Sequence, residues 1–451
     1  MTFKTFFKFR FVVYVLVIGF AAFAVVWLLN NATRPADEGN FGGPILGLTP
    51  EQNRKFFLAK TFFEKKFTPQ EGLGPLFNER SCAACHGDPD EVGGEGRDLS
   101  STSIMNFARR VPNSEVAKKP LKEVIATLGK RDVDFFLTQG GPSLQRRSVT
   151  TEFPDLYPSE VQIDFEQIPI DAELQSNRHA QIIWGAGLID NIADGDIINN
   201  SLKEVQEHPE LAGRPISAID RFTELPRAAR FGWKCQQIGL LSFSAQAMNV
   251  EMGITSYLQH TENTPTYLGQ LPSKALRVLP PTPNDSGKTL LALAYFQSTL
   301  APPPRGKITE QVKHGDEIFR QLRCDVCHLP DAKTVSKVRL PDPESPLPKI
   351  RYIECEALSN KVFHPYSDFL VHQMGPDLAD GMPQEGARGG EWRSAPLWGL
   401  GRRRYFMHDG RAKTIDQAID MHGGQAAPVR DEWSKLSKED NDALLAFLKS
   451  L

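Results

Sequence analysis

The 451 residues carry 52 Lys and Arg against 55 Asp and Glu, a formal net charge of -3, with 40% apolar and 24% charged residues. So balanced a chain has no electrostatic footprint for a nucleic-acid partner, and so ordinary a composition excludes wholesale disorder. The length suffices for two or three domains with their own cores, and 33 prolines and 35 glycines point to a loop-rich body.

At the N-terminus Lys4, Lys8 and Arg10 precede an uncharged run over residues 11–29, which Asn30-Asn31 break. The run approaches the ~20 apolar residues that span a bilayer as a helix and exceeds the roughly 7–15 of a signal-peptide core. Residues 1–30 are therefore expected to form a signal-anchor, a transmembrane helix with a cytoplasmic N-terminus. A cleaved signal is the alternative, Ala22-Phe23-Ala24 being a small-x-small sequence inside the run. Either way the body is expected to be exported, and in the first case periplasmic and anchored in the inner membrane. Residues 31–48 read as a tether.

Residues 49–66 read as a helix, with Phe56, Phe57, Leu58, Phe62 and Phe63 on its apolar side. The segment 74–86 follows and ends in Cys82-Ala83-Ala84-Cys85-His86. Further on, residues 161–170 alternate apolar and polar types, as a short strand pair does, and 287–300 read as helical. Ala301-Pro302-Pro303-Pro304-Arg305-Gly306 is the clearest linker, because consecutive prolines cannot continue a helix. Beyond it the same grammar returns, a short amphipathic helix leading into Cys324-Asp325-Val326-Cys327-His328. The halves also match downstream: Trp184-Gly185-Ala186-Gly187 with Trp398-Gly399-Leu400-Gly401, and Phe231-Gly232-Trp233-Lys234 with Phe406-Met407-His408-Asp409-Gly410. Each is followed by a helical pattern ending near a methionine, Met248 and Met252 in one half and Met421 in the other. This implies a duplicated unit with a larger insertion in the first copy.

Two thiols at i and i+3 can add to the two vinyl groups of one haem, and the following His then reaches the iron. Zinc would need a further ligand pair at each site, and a thioredoxin-like dithiol needs no adjacent His. Two covalently bound haems c are therefore expected, on Cys82, Cys85 and His86 and on Cys324, Cys327 and His328. They divide the body into an N-terminal haem c domain, 49–300, and a C-terminal haem c domain, 307–451. The expected fold is mainly α: two cytochrome-c-like haem domains with long loops and a few short strands, behind the N-terminal transmembrane helix. Cys235 and Cys355 are left over, either as a disulfide between the halves or as two buried thiols.

The two Cys-x-x-Cys-His motifs, the stretch from Trp392 through Pro396 to Gly401, and His408-Asp409-Gly410-Arg411-Ala412 resemble the di-haem oxidoreductase family. Phe231-Gly232-Trp233-Lys234, Glu251-Met252-Gly253-Ile254-Thr255 and the region from Tyr366-Ser367-Asp368 to Met374-Gly375-Pro376 strengthen the match, which runs from about residue 40 to the end. That family, often labelled thiol oxidoreductases, is similar to bacterial di-haem cytochrome c peroxidases and MauG-type enzymes.

The resemblance implies unequal haems. The one on His328 would transfer electrons, its sixth ligand being Met421 or His422, with His422 slightly preferred on spacing. The one on His86 would meet peroxide, with Glu251 as acid/base and Trp233 between the two haems. Three departures stand out. No His lies between His86 and His179, where the peroxidases carry a distal one, so the first iron is either open or capped by Met105 or His179. Arg402-Arg403-Arg404 replaces a Thr-x-Pro that helps hold an inter-haem calcium; cations there oppose Ca2+ and suit haem propionates, which makes that calcium doubtful. The glutamine that accompanies the catalytic glutamate has no clear counterpart near Leu241-Ser242. The expected function is a di-haem oxidoreductase reducing peroxide with electrons from a small redox donor protein, a cytochrome c or cupredoxin. The alternatives are a MauG-like enzyme oxidising a partner protein and a non-enzymatic electron carrier.

Overall fold

A computed structural model describes residues 41–451 apart from 88–90, 97, 137–142, 158–164, 222 and 262–281. Its larger core is built on three helices. Pro50–Glu64 starts at Thr49, whose side chain and that of Gln52 form a reciprocal capping box, with Pro50 in the first turn. Phe56 and Phe63 are buried and meet Phe296 at 5.2 and 4.7 Å between ring centroids, while Leu58, expected on the same side, is exposed. Phe296 belongs to Lys288–Thr299, a helix buried on nearly every face, as its run of Leu and Ala requires. Leu240–Met252 packs beside it and stops at Gly253, which takes the left-handed conformation (φ +62°).

The smaller core pairs Glu310–Gln321 with the terminal helix Lys438–Ser450. Phe319 and Phe447 lie 5.2 Å apart at its centre. Residues of the second half also enter the larger core, among them Val338, Leu340, Cys355, Leu358, Phe369 and Trp398. The linker joins the two cores through backbone bonds at both ends, from Ala301 N–H to Gly43 O and from Gly306 N–H to Ser450 O (2.9 and 2.8 Å). The repeated Trp-Gly motifs keep one backbone: Gly185 and Gly399 both sit at φ +69°, ψ +9°. They also pack reciprocally, since a Cβ on Gly185 would meet Trp398 at 2.7 Å and one on Gly399 would meet Trp184 at 3.3 Å.

Two expectations need correcting. The body is not mainly helical, because 35% of the described residues are helical and 16% lie in strands or bridges. Among the described residues, five two-stranded sheets and one three-stranded sheet pin the loops. Loops that must wrap two internal cavities cannot leave their backbone groups unpaired, and short ribbons satisfy them where longer helices would fill the space. The longest of these, Ser103–Arg110 against Leu174–His179, pairs Ser103 with His179. The strand pair expected at 161–170 falls partly outside the described residues, and 165–170 form no strand.

The second correction concerns the membrane. No helix among the described residues is long and apolar enough to cross one; the longest, Pro50–Glu64, has 15 residues, short of the ~20 required. The transmembrane helix expected at 1–30 lies outside the described residues. The fold therefore gives no support to inner-membrane anchoring or to the periplasmic placement built on it.

Gly253 offers a check on how the larger core closes. A Cβ there would come within 2.6 Å of Leu76 O and 2.7 Å of Gly74 Cα, in addition to the left-handed backbone, which costs an L-residue roughly 1–2 kcal/mol. Gly253→Ala should lower stability by about 2 kcal/mol or more in denaturant titration; an unchanged midpoint would show that the contact yields freely.

Candidate functional site

Each Cys-x-x-Cys pair forms a single helical turn, Cys82–Cys85 and Cys324–Cys327. The turn is closed by the N–H of the following His on the first Cys carbonyl, 2.9 Å in both cases. One turn places residues i and i+3 on one side, so both thiols and the imidazole of each motif line a common cavity. Burial pushes the Cys82 and Cys324 thiols up to about 12 and raises Cys85 and Cys327 as well. They are held as neutral thiols rather than as the thiolates that metal binding or redox exchange uses. Burial likewise lowers His86 and His328 to about 4. Their Nδ1 atoms rest on the carbonyls of Gln181 (2.8 Å) and Tyr366 (3.2 Å), which leaves each Nε2 lone pair facing outward as a ligand.

The C-terminal cavity holds about 1460 Å³ of empty space, counted to its mouth, and is lined mainly by apolar side chains. His422 lies across it from His328, with 6.5 Å between the ring centroids. At that separation both imidazoles could reach one metal ion between them. His422 Nδ1 is held by Ala418 O at 2.7 Å, and its Nε2 has no hydrogen-bond partner among the described residues. Of the Met421-His422 pair, His422 lines this cavity, whereas Met421 packs with Trp233 and Trp392. His372 also lines the cavity and, with Cys327 and Asp368, forms a close group of potential metal ligands. Its ring nitrogens are taken, however, by Asp368 Oδ2 (2.8 Å) and Leu211 O (3.0 Å).

The N-terminal cavity is larger, about 1820 Å³ counted to its mouth, and no second His faces His86 in the same way. His179 is in its wall, but Nδ1 lies 3.2 Å from Thr102 Oγ1 and Nε2 lies 3.0 Å from Glu95 Oε1. Met105, the other expected cap, is in the Ser103–Arg110 strand and does not line the cavity. Glu251 does. It is half-buried, and loss of hydration pushes its carboxyl up to about 7 against the opposing pull of Asn78 and Arg146.

The two cavities share a wall made of Trp233, Arg393, Ala395 and Arg403. Trp233 is fixed there by a bond from its Nε1 to His179 O (2.8 Å). On the C-terminal side Trp392 stacks on His408 at 3.9 Å, with Lys234 Nζ 3.8 Å from the same ring. Arg393 donates to Arg230 O and Gln181 Oε1. Its Nε, like that of Arg403, is buried with no hydrogen-bond partner among the described residues. Burial also lowers both guanidiniums below their usual pKa. A buried guanidinium with an unbonded Nε is a place for an anion. Haem propionates would fill that place. Paired thiols, outward Nε2 atoms, opposed His328 and His422, and two guanidiniums with an unbonded Nε together fit two haems.

Sequence reasoning missed Asn78, Arg146 and Arg393. Asn78 Nδ2 donates to Glu251 Oε2 at 3.2 Å, and Asn78 Oδ1 accepts from Arg146. Asn78 lies just before the first motif, the one signal that could have drawn attention to it. Cys235 and Cys355 are buried free thiols in separate apolar clusters, with no disulfide between them.

The family model described as "Di-haem oxidoreductase, putative peroxidase" matches residues 171–451. No curated protein matches the chain. Among solved structures, hydrazine synthase from Kuenenia stuttgartiensis is similar at 19% identity and a TM-score of 0.23, over 36% of this chain and 55% of that one. The chain thus spans about half the length of that protein. A MauG-like protein associated with microbial copper homeostasis is similar at 16% identity and a TM-score of 0.23, over 63% of this chain and 91% of that one. Likeness at these scores carries nothing about activity.

Proposed function

The chain belongs to the di-haem oxidoreductase family, and from that premise we propose that it reduces hydrogen peroxide at its N-terminal site with electrons admitted at its C-terminal site. The observation that carries this is the asymmetry of the cavities: His328 faces His422, whereas His86 shares its cavity with Glu251 and no available second His. Cys82 and Cys85, and Cys324 and Cys327, would each attach one haem covalently. Bound haem would supply iron that changes oxidation state and can take up an oxidant.

The chain's own residues supply the rest. His328 and His422 would both be ligands of the haem at one site, which suits electron transfer. The N-terminal cavity leaves room for peroxide beside Glu251, whose carboxylate would take the proton of one peroxide oxygen and return it to the departing one. Two electrons and two protons then convert hydrogen peroxide to two waters. Trp233, in the shared wall, is the relay between the sites. A small redox donor protein, a cytochrome c or cupredoxin, would supply the electrons. Oxidation of a partner protein is a second reading, favoured by the same open N-terminal site.

Electron paramagnetic resonance of the oxidised protein tests this. One haem should be low-spin and the other high-spin, and cyanide should convert the high-spin signal without prior reduction. His422→Ala should turn the low-spin haem high-spin, whereas Met421→Ala should leave it low-spin. Two low-spin signals inert to cyanide would sink the enzymatic reading and leave an electron carrier.

A further inference from the structure

Glu251 can move a proton usefully only if one of its oxygens is reserved to carry it. Asn78 decides which. Its Oδ1 accepts from the backbone N–H and the Nε of Arg146, both at 3.3 Å, so the amide is oriented with its NH2 towards Glu251, donating to Oε2 at 3.2 Å. Turning the amide over would set its NH2 against two N–H donors and its oxygen against a carboxylate oxygen, losing every one of these bonds. Arg146 is itself held by a bond from Nη1 to Ser100 O (2.6 Å). The contact is also fixed at the backbone, since the N–H groups of Asn78 and Glu79 both donate to Glu251 O, at 2.7 and 3.2 Å. Asn78 is buried and Arg146 lines the cavity.

We propose that Asn78, locked in one amide orientation by Arg146, is a positioning residue that keeps Oε2 of Glu251 an acceptor and so assigns the mobile proton to Oε1. The inference rests on the reading of Glu251 as the acid/base of the N-terminal site. A proton confined to one oxygen has one geometry from which to leave and to which to return, as proton transfer requires. Arg146 acts through Asn78 rather than on substrate. The amide that accompanies the glutamate thus comes from the segment before the first haem motif, 173 positions away in sequence, and not from the helix that carries Glu251.

Few other charges among the described residues bear on the group. Across the Cys82–Cys85 turn stands Glu79, paired with Arg147 at 3.4 Å, and His86 shares the cavity. Of the elements packed on Leu240–Met252, the strand Leu76–Phe77 carries no titratable side chain. Ala186–Asp190 brings Asp190, whose Oδ1 accepts from Leu240 N–H at the opposite end of the helix. Lys288–Thr299 brings Lys288, 5.5 Å from the Phe62 ring, and Tyr295, bonded to Gln52 O.

A double-mutant cycle on the haem-loaded protein tests the lock. The carboxyl infrared band of protonated Glu251 is identified as the one lost in Glu251→Gln and then titrated. Asn78→Leu removes the donor and should move the titration up by about one unit. Arg146→Gln should move it up more in the parent than once Asn78 is Leu, where only the direct pull of its charge on Glu251 is lost. If Asn78→Leu does not retain both haems, Asn78→Ser takes its place, its hydroxyl being too short to span the gap. Equal shifts from Arg146→Gln in both backgrounds would mean that Arg146 acts by charge alone, and the lock would be overturned. No shift from either single variant would overturn it too. The band reports Glu251 whether or not Glu251 is catalytic, so a Glu251→Gln protein with full turnover would remove the acid/base reading and leave this test intact.

Discussion

With Cys82 and Cys85 both replaced by Ser, protein made in a host with cytochrome c maturation should keep one haem, not two, after acid-acetone extraction. The Cys324, Cys327 pair should behave alike, and the fourfold variant should keep none. The effect is all or nothing because a thioether is a covalent bond, whereas a haem held by axial His and packing alone is extracted. Geometry supports the expectation: each pair sits on one turn beside a His whose Nδ1 is already engaged. A zinc site would require further thiolates or imidazoles around each pair. The nearest such candidate, His372 beside Cys327, has both ring nitrogens occupied. Fully extractable haem, or metal recovered without haem, would end the di-haem c reading.

Glu251→Gln should lower peroxide turnover by roughly 10²–10⁴-fold, the range of general acid–base catalysis, while cyanide affinity and both haem spectra stay close to those of the parent. Gln keeps the size and the oxygen that accepts from Asn78 and loses only the titrating proton. The pH dependence carries a sign. Burial raises the Glu251 carboxyl to about 7, so below that pH the group is chiefly the acid and above it chiefly the carboxylate. The proposed first step would take a proton from peroxide and need the carboxylate, so parent turnover should climb as pH rises through about 7. In the Gln variant that climb should disappear. A variant as active as the parent, with the climb intact, would strip Glu251 of its role and pass the chemistry to another cavity residue.

What could be read from the sequence alone was what neighbouring positions settle among themselves. Cysteines three apart followed by His must share a helical turn, and consecutive prolines must interrupt one. The apolar side from Phe56 to Phe63 marks a helix at 49–66, which is Pro50–Glu64 in the structure; the stretch read as helical at 287–300 is Lys288–Thr299, and the short helix leading into the second motif is Glu310–Gln321. Trp233 and Glu251 were picked out by resemblance, and both reach a cavity.

Other features waited on the tertiary structure, because they depend on which distant segments meet. Met421 and His422 are adjacent at the end of a short helix, and only the packing around Trp233 and Trp392 decides that the methionine joins that cluster while the imidazole faces His328. His179 was a possible cap until Thr102 and Glu95, 77 and 84 positions away, took its nitrogens. Arg393 and Arg403 acquire meaning from a wall shared by two cavities, and Asn78 from a glutamate at the far end of the first half. The helical share was overestimated for the same reason: ribbons such as Ser103–Arg110 with Leu174–His179 are made by long-range backbone pairing, which leaves little trace in the local pattern of either strand.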